Sequence, residues 1–185
     1  MTENSANISA HTAAHTSSDV APAASPTVSV VRPGEGETIV LGTTRMRVLE
    51  DGSNTGHRLG MTESVLAPHT PGPPQHRHSR HDEGFYVLSG TVRFTVGDTD
   101  HDVSAGTFLL VPPGAPHTFA NTTDQPAVML STFTPDLYVQ YFRDLRDTFA
   151  DGGPMTPQGT LDTMRRYATE PAGQEVTPSG PRGGS

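Results

Sequence analysis

The spacing of turn residues constrains the fold most strongly, because it breaks the apolar sequence into short runs of strand length. Nineteen glycines and seventeen prolines occur among the 185 residues. Asp51-Gly52, Ser89-Gly90 and Gly97-Asp98 are typical separators between the runs. Short strands with frequent turns indicate an all-β barrel or sandwich. Strands and helices do not alternate along the sequence, so a doubly wound sheet is not expected. The predicted strands are Thr38–Leu41, Thr44–Glu50, His57–Ala67, Glu83–Ser89, Thr91–Val96, Thr107–Val111, Pro116–Asn121 and Ala127–Thr134.

The two ends of the chain differ in composition from its middle. Hydrophobic residues make up 32% of the sequence, which is too low for a chain that is folded along its whole length. We therefore expect a disordered N-terminal tail over residues 1–37 and a flexible tail over residues 172–185. Residues 38–134 form the predicted barrel, and residues 135–171 form a helical appendage to it.

Two helices are predicted in the appendage, and each starts at a Thr-Pro pair. Thr134 and Thr156 resemble N-caps, and each is followed by a proline at the first helical position. The first helix carries an apolar stripe of helical period, made of Leu137, Tyr138, Tyr141, Phe142, Leu145 and Phe149. These side chains either line a ligand pocket or cover the outside of the β core, and the periodicity favours covering the core.

Charge and residue usage exclude several classes of function. The chain has no cysteine and no lysine, so thiolate and Schiff-base chemistry are excluded. A formal charge of -8 argues against nucleic-acid partners and anionic membranes, and no apolar run is long enough to span a bilayer. The lack of cysteine and of a secretory signal predicts a cytoplasmic location. Basic residues that are all arginine indicate a bacterial genome of high GC content.

Nine histidines direct attention to imidazole chemistry. Residues i and i+2 of a strand point the same way, so His76 and His78 present two imidazoles on one face. Glu83 starts the next strand and can fold back onto that face, and His117 offers a third imidazole. Three imidazoles and one carboxylate make a site for one divalent transition metal, whether Fe, Ni, Mn, Co, Cu or Zn.

Strand alternation also predicts the walls of the pocket around this site. Counting from Glu83 places Phe85 and Val87 on the inner face, and counting from His117 places Phe119 there. These side chains either contact a substrate or simply fill the barrel. Arg77 alternates with the two histidines and is expected to face outward, and His81 is expected at the surface or rim. A metal at the base of an aromatic pocket suits a small, flat, hydrophobic substrate that carries a ligating oxygen.

The spacing within two segments resembles the two motifs of the cupin superfamily. In the first motif, His76 and His78 are followed by Glu83 and Gly90. In the second, Gly106 is followed by Pro112, Gly114, His117 and Asn121, which matches position for position. One departure is Gly72. Three residues lie between it and His76, whereas the motif normally has five residues between its first glycine and first histidine.

The resemblance to small bacterial single-domain cupins implies a jelly-roll β-barrel with His76, His78, Glu83 and His117 as metal ligands. The run from Glu83 to Gly90 looks like the quercetin-dioxygenase-like branch. That branch implies an oxidoreductase of dioxygenase type, which acts on a small hydrophobic or aromatic hydroxylated substrate and on dioxygen. Glu83 is then both ligand and catalytic general base.

Two other functions remain open on the same scaffold. In the first, the metal acts as a Lewis acid in an isomerase, cyclase or decarboxylase that consumes no oxygen. In the second, the barrel binds a ligand without turnover. Because cupins often pair through N-terminal strands, the resemblance also implies a homodimer with its contact at Thr38–Glu50.

Overall fold

The computed structural model describes residues 28–150 and 156–172, and most of these lie in two antiparallel β-sheets. The strands are β1 (Thr38–Leu41), β2 (Thr44–Asp51), β3 (Gly60–Leu66), β4 (His76–His78), β5 (Asp82–Ser89), β6 (Thr91–Val96), β7 (Thr99–Ser104), β8 (Phe108–Val111), β9 (His117–Ala120), β10 (Ala127–Thr134) and β11 (Thr169–Pro171). One sheet has the order β1-β2-β3-β10-β5-β8, and the other has the order β11-β4-β9-β6-β7. The prediction of an all-β jelly-roll barrel is confirmed.

The strand bounds follow the turn residues closely. Three predicted strands have the predicted limits, and they correspond to β1, β6 and β10. The sequence prediction missed β7, whose residues are almost all exposed, and the short strand β11 near the C-terminal end. Neither segment has the apolar alternation that marks a half-buried strand, so only the pairing of β7 to β6 and of β11 to β4 defines them.

The predicted tails fall largely outside the described residues. Residues 1–27, 151–155 and 173–185 are not among those that the structure describes. Residues 28–37, which the sequence prediction placed in the tail, lead into β1. Within them the carbonyl of Glu37 accepts a hydrogen bond from the backbone of Val48, at 2.9 Å.

The helices are α1 (Val139–Phe149) and α2 (Pro157–Arg165). The predicted start of α2 is confirmed, because Thr156 accepts a hydrogen bond from the Gly159 amide and Pro157 opens the helix. The predicted start of the first helix at Pro135 is wrong. The helix begins four residues later, where a carboxylate oxygen of Asp136 accepts a hydrogen bond from the Val139 amide.

Two apolar clusters hold the barrel and the helices together. The inner faces of both sheets form one cluster, with Phe85 and Phe94 at ring centroids 4.8 Å apart. A second cluster joins β1, β2 and the end of β10 to the buried faces of α1 and α2. The helices therefore cover one end of the barrel.

Ion pairs attach α1 to the barrel. The guanidinium of Arg143 contacts carboxylate oxygens of Glu37 and Asp51, each at 2.8 Å. Arg146 makes a further contact with Glu37, also at 2.8 Å. The arginines lower the pKa of the Glu37 carboxyl, although its burial acts in the opposite direction. Hydrogen bonds from Ser53 and Arg143 lower the pKa of Asp51 to about 2. These contacts fix α1 over the open end of the sheets.

No helix in the described part of the chain is long and apolar enough to cross a membrane. The predicted dimer contact, Thr38–Glu50, includes β1, which is an edge strand of the six-stranded sheet. Val40 in this strand is exposed. The homodimer stays a prediction.

Candidate metal centre

The four predicted ligands meet between the two sheets. His76 and His78 lie on β4 and His117 on β9, where His76 and His117 are register partners in the five-stranded sheet. Glu83 comes from β5 in the opposite sheet. One ligand atom from each of the four residues lies within 4.8 Å of the others, and all four side chains are buried. Donors on opposite sides of a first-row ion lie about 4 Å apart, so the cluster has the size of a metal site.

The outer nitrogen of each imidazole has an acceptor of its own. The Nδ1 atoms of His76 and His117 lie 2.8 and 3.0 Å from the carbonyl oxygens of Pro74 and Ala115. Because a carbonyl oxygen only accepts hydrogen bonds, each of these Nδ1 atoms carries the proton. When the ring is neutral, its Nε2 atom therefore presents a lone pair, which is the form that binds a metal.

His78 has the same arrangement with a side chain in place of a carbonyl. Its Nδ1 lies 3.0 Å from the hydroxyl oxygen of Thr169. That hydroxyl donates its own proton to the carbonyl of Tyr167, at 3.1 Å, so it accepts from His78. The Nε2 of His78 is thereby left free on the inner side of the ring.

The donor set fits a cation. The Oε2 atom of Glu83 lies 2.8 Å from Nε2 of His78 and 3.1 Å from Nε2 of His117. Because the proton of each of these two rings is on Nδ1, the Nε2 lone pairs face the carboxylate oxygen. Two acceptors at this distance repel each other unless a proton or a metal ion lies between them. A divalent ion satisfies all of these atoms together, and nitrogen and oxygen donors of this kind suit the first-row transition metals.

The charges of the cluster depend on one another. Burial opposes the charged form of Glu83, yet hydrogen bonds to His117 and His78 lower the pKa of its carboxyl well below the ordinary range. Burial also opposes the charged form of His117, but its contact with Glu83 raises the pKa of this imidazole. Burial and the neighbouring imidazoles lower the pKa of His76 to about 3, so His76 is neutral at pH 7. The site therefore has an ionised carboxylate and an uncharged His76, as metal binding requires.

A small inner chamber borders the cluster. Its volume is about 40 Å³, and His76, Glu83 and His117 form part of its wall. The remaining lining side chains are Met46, Ser64, Phe119, Met129, Ser131, Tyr138, Tyr141, Phe142 and Met164. Apart from Glu83 and the two histidines, no titratable group other than the two tyrosine hydroxyls lines this chamber among the described residues.

A larger outer cavity adjoins the inner chamber. Its volume is about 490 Å³, within the range of small-molecule sites. Met46, Phe119, Tyr141 and Phe142 line both spaces, so they form the partition between the two. The outer cavity lies between the β1–β2 turn, the loop before β4 and the helices, and no charged side chain lines it within the described part of the chain.

The three residues predicted to contact a substrate occupy two different places. Phe119 lines both the inner chamber and the outer cavity. Phe85 and Val87 face inward as predicted, but they belong to the packed core, with 1% and 0% of their surface exposed. Neither of them lines the inner chamber or the outer cavity.

His81 is not at the surface, and that prediction is wrong. It is 1% exposed, and its ring stacks on His78 with the centroids 4.1 Å apart. Neither ring nitrogen has a hydrogen-bond partner among the described residues. Burial, and then His78, lower the pKa of His81 to about 4. The polar sequence around it, Ser79-Arg80-His81-Asp82, gave no indication that this one side chain turns inward. Arg77 does face outward, where it pairs with Glu170 at 3.5 Å.

Sequence reasoning missed two residues near the cluster. Thr169 reaches His78 because β11 pairs with β4, with Thr169 and His78 as register partners. Tyr138 packs edge-on against the His78 ring at a centroid distance of 4.6 Å. The helical stripe contained Tyr138, but periodicity could not distinguish a residue that lines the chamber from one that only covers the core.

The loop before β4 depends on Gly72. A Cβ atom at this position would lie 1.5 Å from the backbone oxygen of Phe119, so only glycine permits the contact. The same loop carries Pro74, whose carbonyl orients His76. Although the spacing of Gly72 departs from the motif, this glycine still lets the loop before β4 pack against β9.

A protein family and one curated protein match the sequence of this barrel. Residues 62–133 match the family described as Cupin domain. Quercetin 2,3-dioxygenase from Bacillus subtilis is 26% identical over 120 residues, which cover 65% of this chain and 35% of that protein. The chain thus spans about a third of the length of this curated relative.

Solved structures with the same fold are named for different activities. The polyketide cyclase RemF from Streptomyces resistomycificus has a TM-score of 0.53 and 23% identity, covering 58% of this chain and 80% of that one. A predicted oxalate decarboxylase from Thermotoga maritima has a TM-score of 0.53 and 20% identity, covering 58% and 99%. At these identities the likeness shows the fold alone. The match over residues 62–133 and the shared jelly-roll fold identify this barrel as a cupin domain.

Proposed function

We propose that this cupin is a metal-dependent enzyme of dioxygenase type, whose substrate is a small, uncharged, hydrophobic or aromatic molecule with a hydroxyl group. The contact of Glu83 with both His78 and His117 carries the proposal, because it requires a cation or a proton at the centre of the cluster. The proposed ligands are His76, His78, Glu83 and His117. Bound there, a divalent transition metal would polarise a substrate oxygen and lower the pKa of its hydroxyl group.

The walls of the two cavities support an uncharged substrate. Within the described residues, no arginine lines either space, so a phosphate or carboxylate group would find no guanidinium partner there. The outer cavity is lined by Leu41, Leu145, Phe119 and several prolines, which favour an apolar body. The resemblance to quercetin 2,3-dioxygenase supports dioxygen as the second substrate, although it covers only part of that protein.

Glu83 has the position of a general base. Its carboxylate forms part of the wall of the inner chamber and is ionised, because His78 and His117 lower its pKa. In the proposed reaction Glu83 takes the proton of the substrate hydroxyl and holds it by a hydrogen bond to the resulting oxygen anion. Apolar walls exclude water from that anion, which leaves the deprotonated substrate to react with dioxygen.

Elemental analysis and oxygen uptake test this function. We expect about one equivalent of a transition metal in the purified protein and little in the His76→Ala variant. We expect oxygen uptake when quercetin is added to the parent protein as the probe. The Glu83→Gln variant should lose that uptake, whereas the matched variant Glu63→Gln, on the outer side of β3 beside Arg47, should keep it.

The same measurements separate the other two functions. Consumption of quercetin without oxygen uptake would replace the dioxygenase with a lyase or isomerase that uses the metal as a Lewis acid. Binding of quercetin without any consumption would indicate a barrel that only holds a ligand. Equal metal content in the parent protein and His76→Ala would contradict the proposed ligand set.

A further inference from the structure

The hydroxyl of Tyr138 is an unsatisfied polar group beside the metal centre. Tyr138 is 3% exposed, and its hydroxyl has no hydrogen-bond partner among the described residues. Thr169 and Tyr141 lie close enough to affect its pKa, but neither has hydrogen-bond geometry to it. A buried hydroxyl without a partner destabilises a fold, so such a group is retained where a bound ligand satisfies it.

The ring of Tyr138 is held in place by its neighbours. It packs edge-on against His78 at 4.6 Å, and its ring is tilted against those of Tyr141 at 4.4 Å and Phe133 at 5.6 Å. Tyr138 immediately precedes α1, which the Arg143 ion pairs fix to the barrel. The hydroxyl is therefore a positioned donor, because packing orients the ring and ion pairs hold the helix behind it.

The inner chamber is where such a partner would lie. Tyr138 lines it together with His76, Glu83 and His117. Its volume of about 40 Å³ is too small for an aromatic substrate, and it accommodates only one end of a molecule or a very small one. The body of a larger ligand would have to extend past Phe119 and Phe142 into the outer cavity.

We propose that Tyr138 contacts the ligand directly and donates a hydrogen bond to the oxygen atom that occupies the inner chamber. This inference rests on the proposed metal site and deepens it. It assigns the ligand a polar oxygen end, which lies between the metal ligands and Tyr138, and an apolar body in the outer cavity. The oxygen belongs either to the organic substrate or to a small second ligand such as dioxygen, and both would accept the same hydrogen bond.

Binding to the purified holoprotein under anaerobic conditions tests the inference with two probes. Azide represents a small ligand that fits the inner chamber, and 2-naphthol represents an oxygen end with an apolar body. In Tyr138→Phe, we expect at least one of the two affinities, measured by titration calorimetry, to fall about tenfold. A lower affinity for 2-naphthol alone would assign the oxygen to the organic substrate. A lower affinity for azide would assign it to the small ligand.

Stability measurements separate this role from a structural one. Removing an unpartnered hydroxyl should leave the thermal midpoint and the metal content of Tyr138→Phe unchanged, or raise the midpoint. Tyr167→Phe should lower the midpoint, because the Tyr167 hydroxyl donates to Asp144 at 2.6 Å. Tyr86→Phe, on the exposed side of β5, is the matched control and should alter neither affinity.

Two results would overturn the inference. One is a parent protein that contains metal but binds neither probe, or a Tyr138→Phe variant that binds both as tightly as the parent does. The other is a thermal midpoint that falls in Tyr138→Phe as it does in Tyr167→Phe. Failure of the proposed metal site is recognised separately, because the parent protein would then contain no metal.

Discussion

The Nδ1 atom of His78 lies 3.0 Å from the hydroxyl oxygen of Thr169, although 91 residues separate the two in the chain. Thr169 belongs to β11, which follows both helices and pairs with the ligand strand β4. The C-terminal segment therefore does more than cover the barrel, because it fixes which nitrogen of one proposed ligand carries the proton.

Replacing Thr169 with valine should weaken metal binding while leaving the fold intact. Valine keeps the shape but removes the acceptor for the His78 proton, and the loss of such a partner typically costs 10–100-fold in metal affinity. We expect a decrease of about tenfold, measured by competition with a chromophoric chelator. Thr99→Val, on exposed β7, is the matched control. Equal affinities in the two variants would show that the contact does not orient His78.

The burial of His81 predicts an acid-sensitive metal-free protein. Its folded pKa of about 4 lies below the ordinary value of 6.5, so the unfolded chain takes up a proton first as the pH falls. The free energy of unfolding should therefore decrease from about pH 6.5 downward, at up to about 1.4 kcal/mol per pH unit for this residue. His76, with a pKa of about 3, adds to the same slope.

Urea unfolding of the metal-free protein between pH 5 and 7.5 measures this slope. His81→Phe keeps a flat ring beside His78 and removes the titration, so we expect a clearly smaller decrease in unfolding free energy as the pH falls. His101→Phe, at an exposed position on β7, should keep the full slope. If His81→Phe and the parent protein have the same slope, then folding does not lower the pKa of His81.

The ion pairs of Arg143 should contribute to stability through the docking of α1. We expect Arg143→Gln to lose about 1 kcal/mol of unfolding free energy at pH 7, since the pairs are partly exposed. The folded pKa of Asp51, about 2, lies below its ordinary value of 3.8. Its contribution is therefore present above about pH 3.8 and is lost as the pH falls toward 2.

The variant should consequently have a weaker acid dependence than the parent protein in that range, as followed by circular dichroism. Arg93→Gln, which removes the exposed pairs with Asp102 and Asp100, is the control and should resemble the parent protein. An Arg143→Gln variant that keeps the parental stability at pH 7 would show that apolar packing alone docks α1.

Phe85 and Phe119 should separate core packing from ligand contact. Phe85→Ala should lower the free energy of unfolding by about 3–5 kcal/mol, because the side chain is buried in the barrel core. Phe119→Ala should cost less stability, since Phe119 is only partly buried, and should instead weaken the binding of 2-naphthol. Thermal unfolding and calorimetric titration of both variants check this. A larger loss of stability in Phe119→Ala, together with weaker 2-naphthol binding in Phe85→Ala, would contradict the placement of Phe119 at the cavities and of Phe85 in the core.

Local sequence was sufficient for most of the strands and for the proposed ligand set. The limits of β1, β6 and β10 follow from turn residues and apolar runs, which are short-range signals. His76 and His78 share a face through strand alternation, and motif spacing identified Glu83 and His117 as their partners. The start of α2 followed in the same way from Thr156 and Pro157.

Other features could not be predicted, because they depend on contacts between distant segments. The start of α1 depends on Asp136, whose backbone amide donates to the carbonyl of His57 at 3.0 Å and whose carboxylate accepts from the Val139 amide. His81 is buried although its neighbours in sequence are polar, because Phe133 and Tyr138 close over its ring. Phe85 and Phe119 both alternate inward, and only the packing of the sheets places Phe119 at the cavities and Phe85 in the core.

The sequence by itself determined a barrel of short antiparallel strands and four residues with the chemistry of a metal site, because turn propensity and side-chain alternation act over a few residues. Only the tertiary structure decided that Glu83 faces the histidines from the opposite sheet, that Thr169 supports His78, and that Tyr138 closes the inner chamber. Those relationships depend on the pairing of strands and the docking of a helix, and no local pattern records which distant segments will meet.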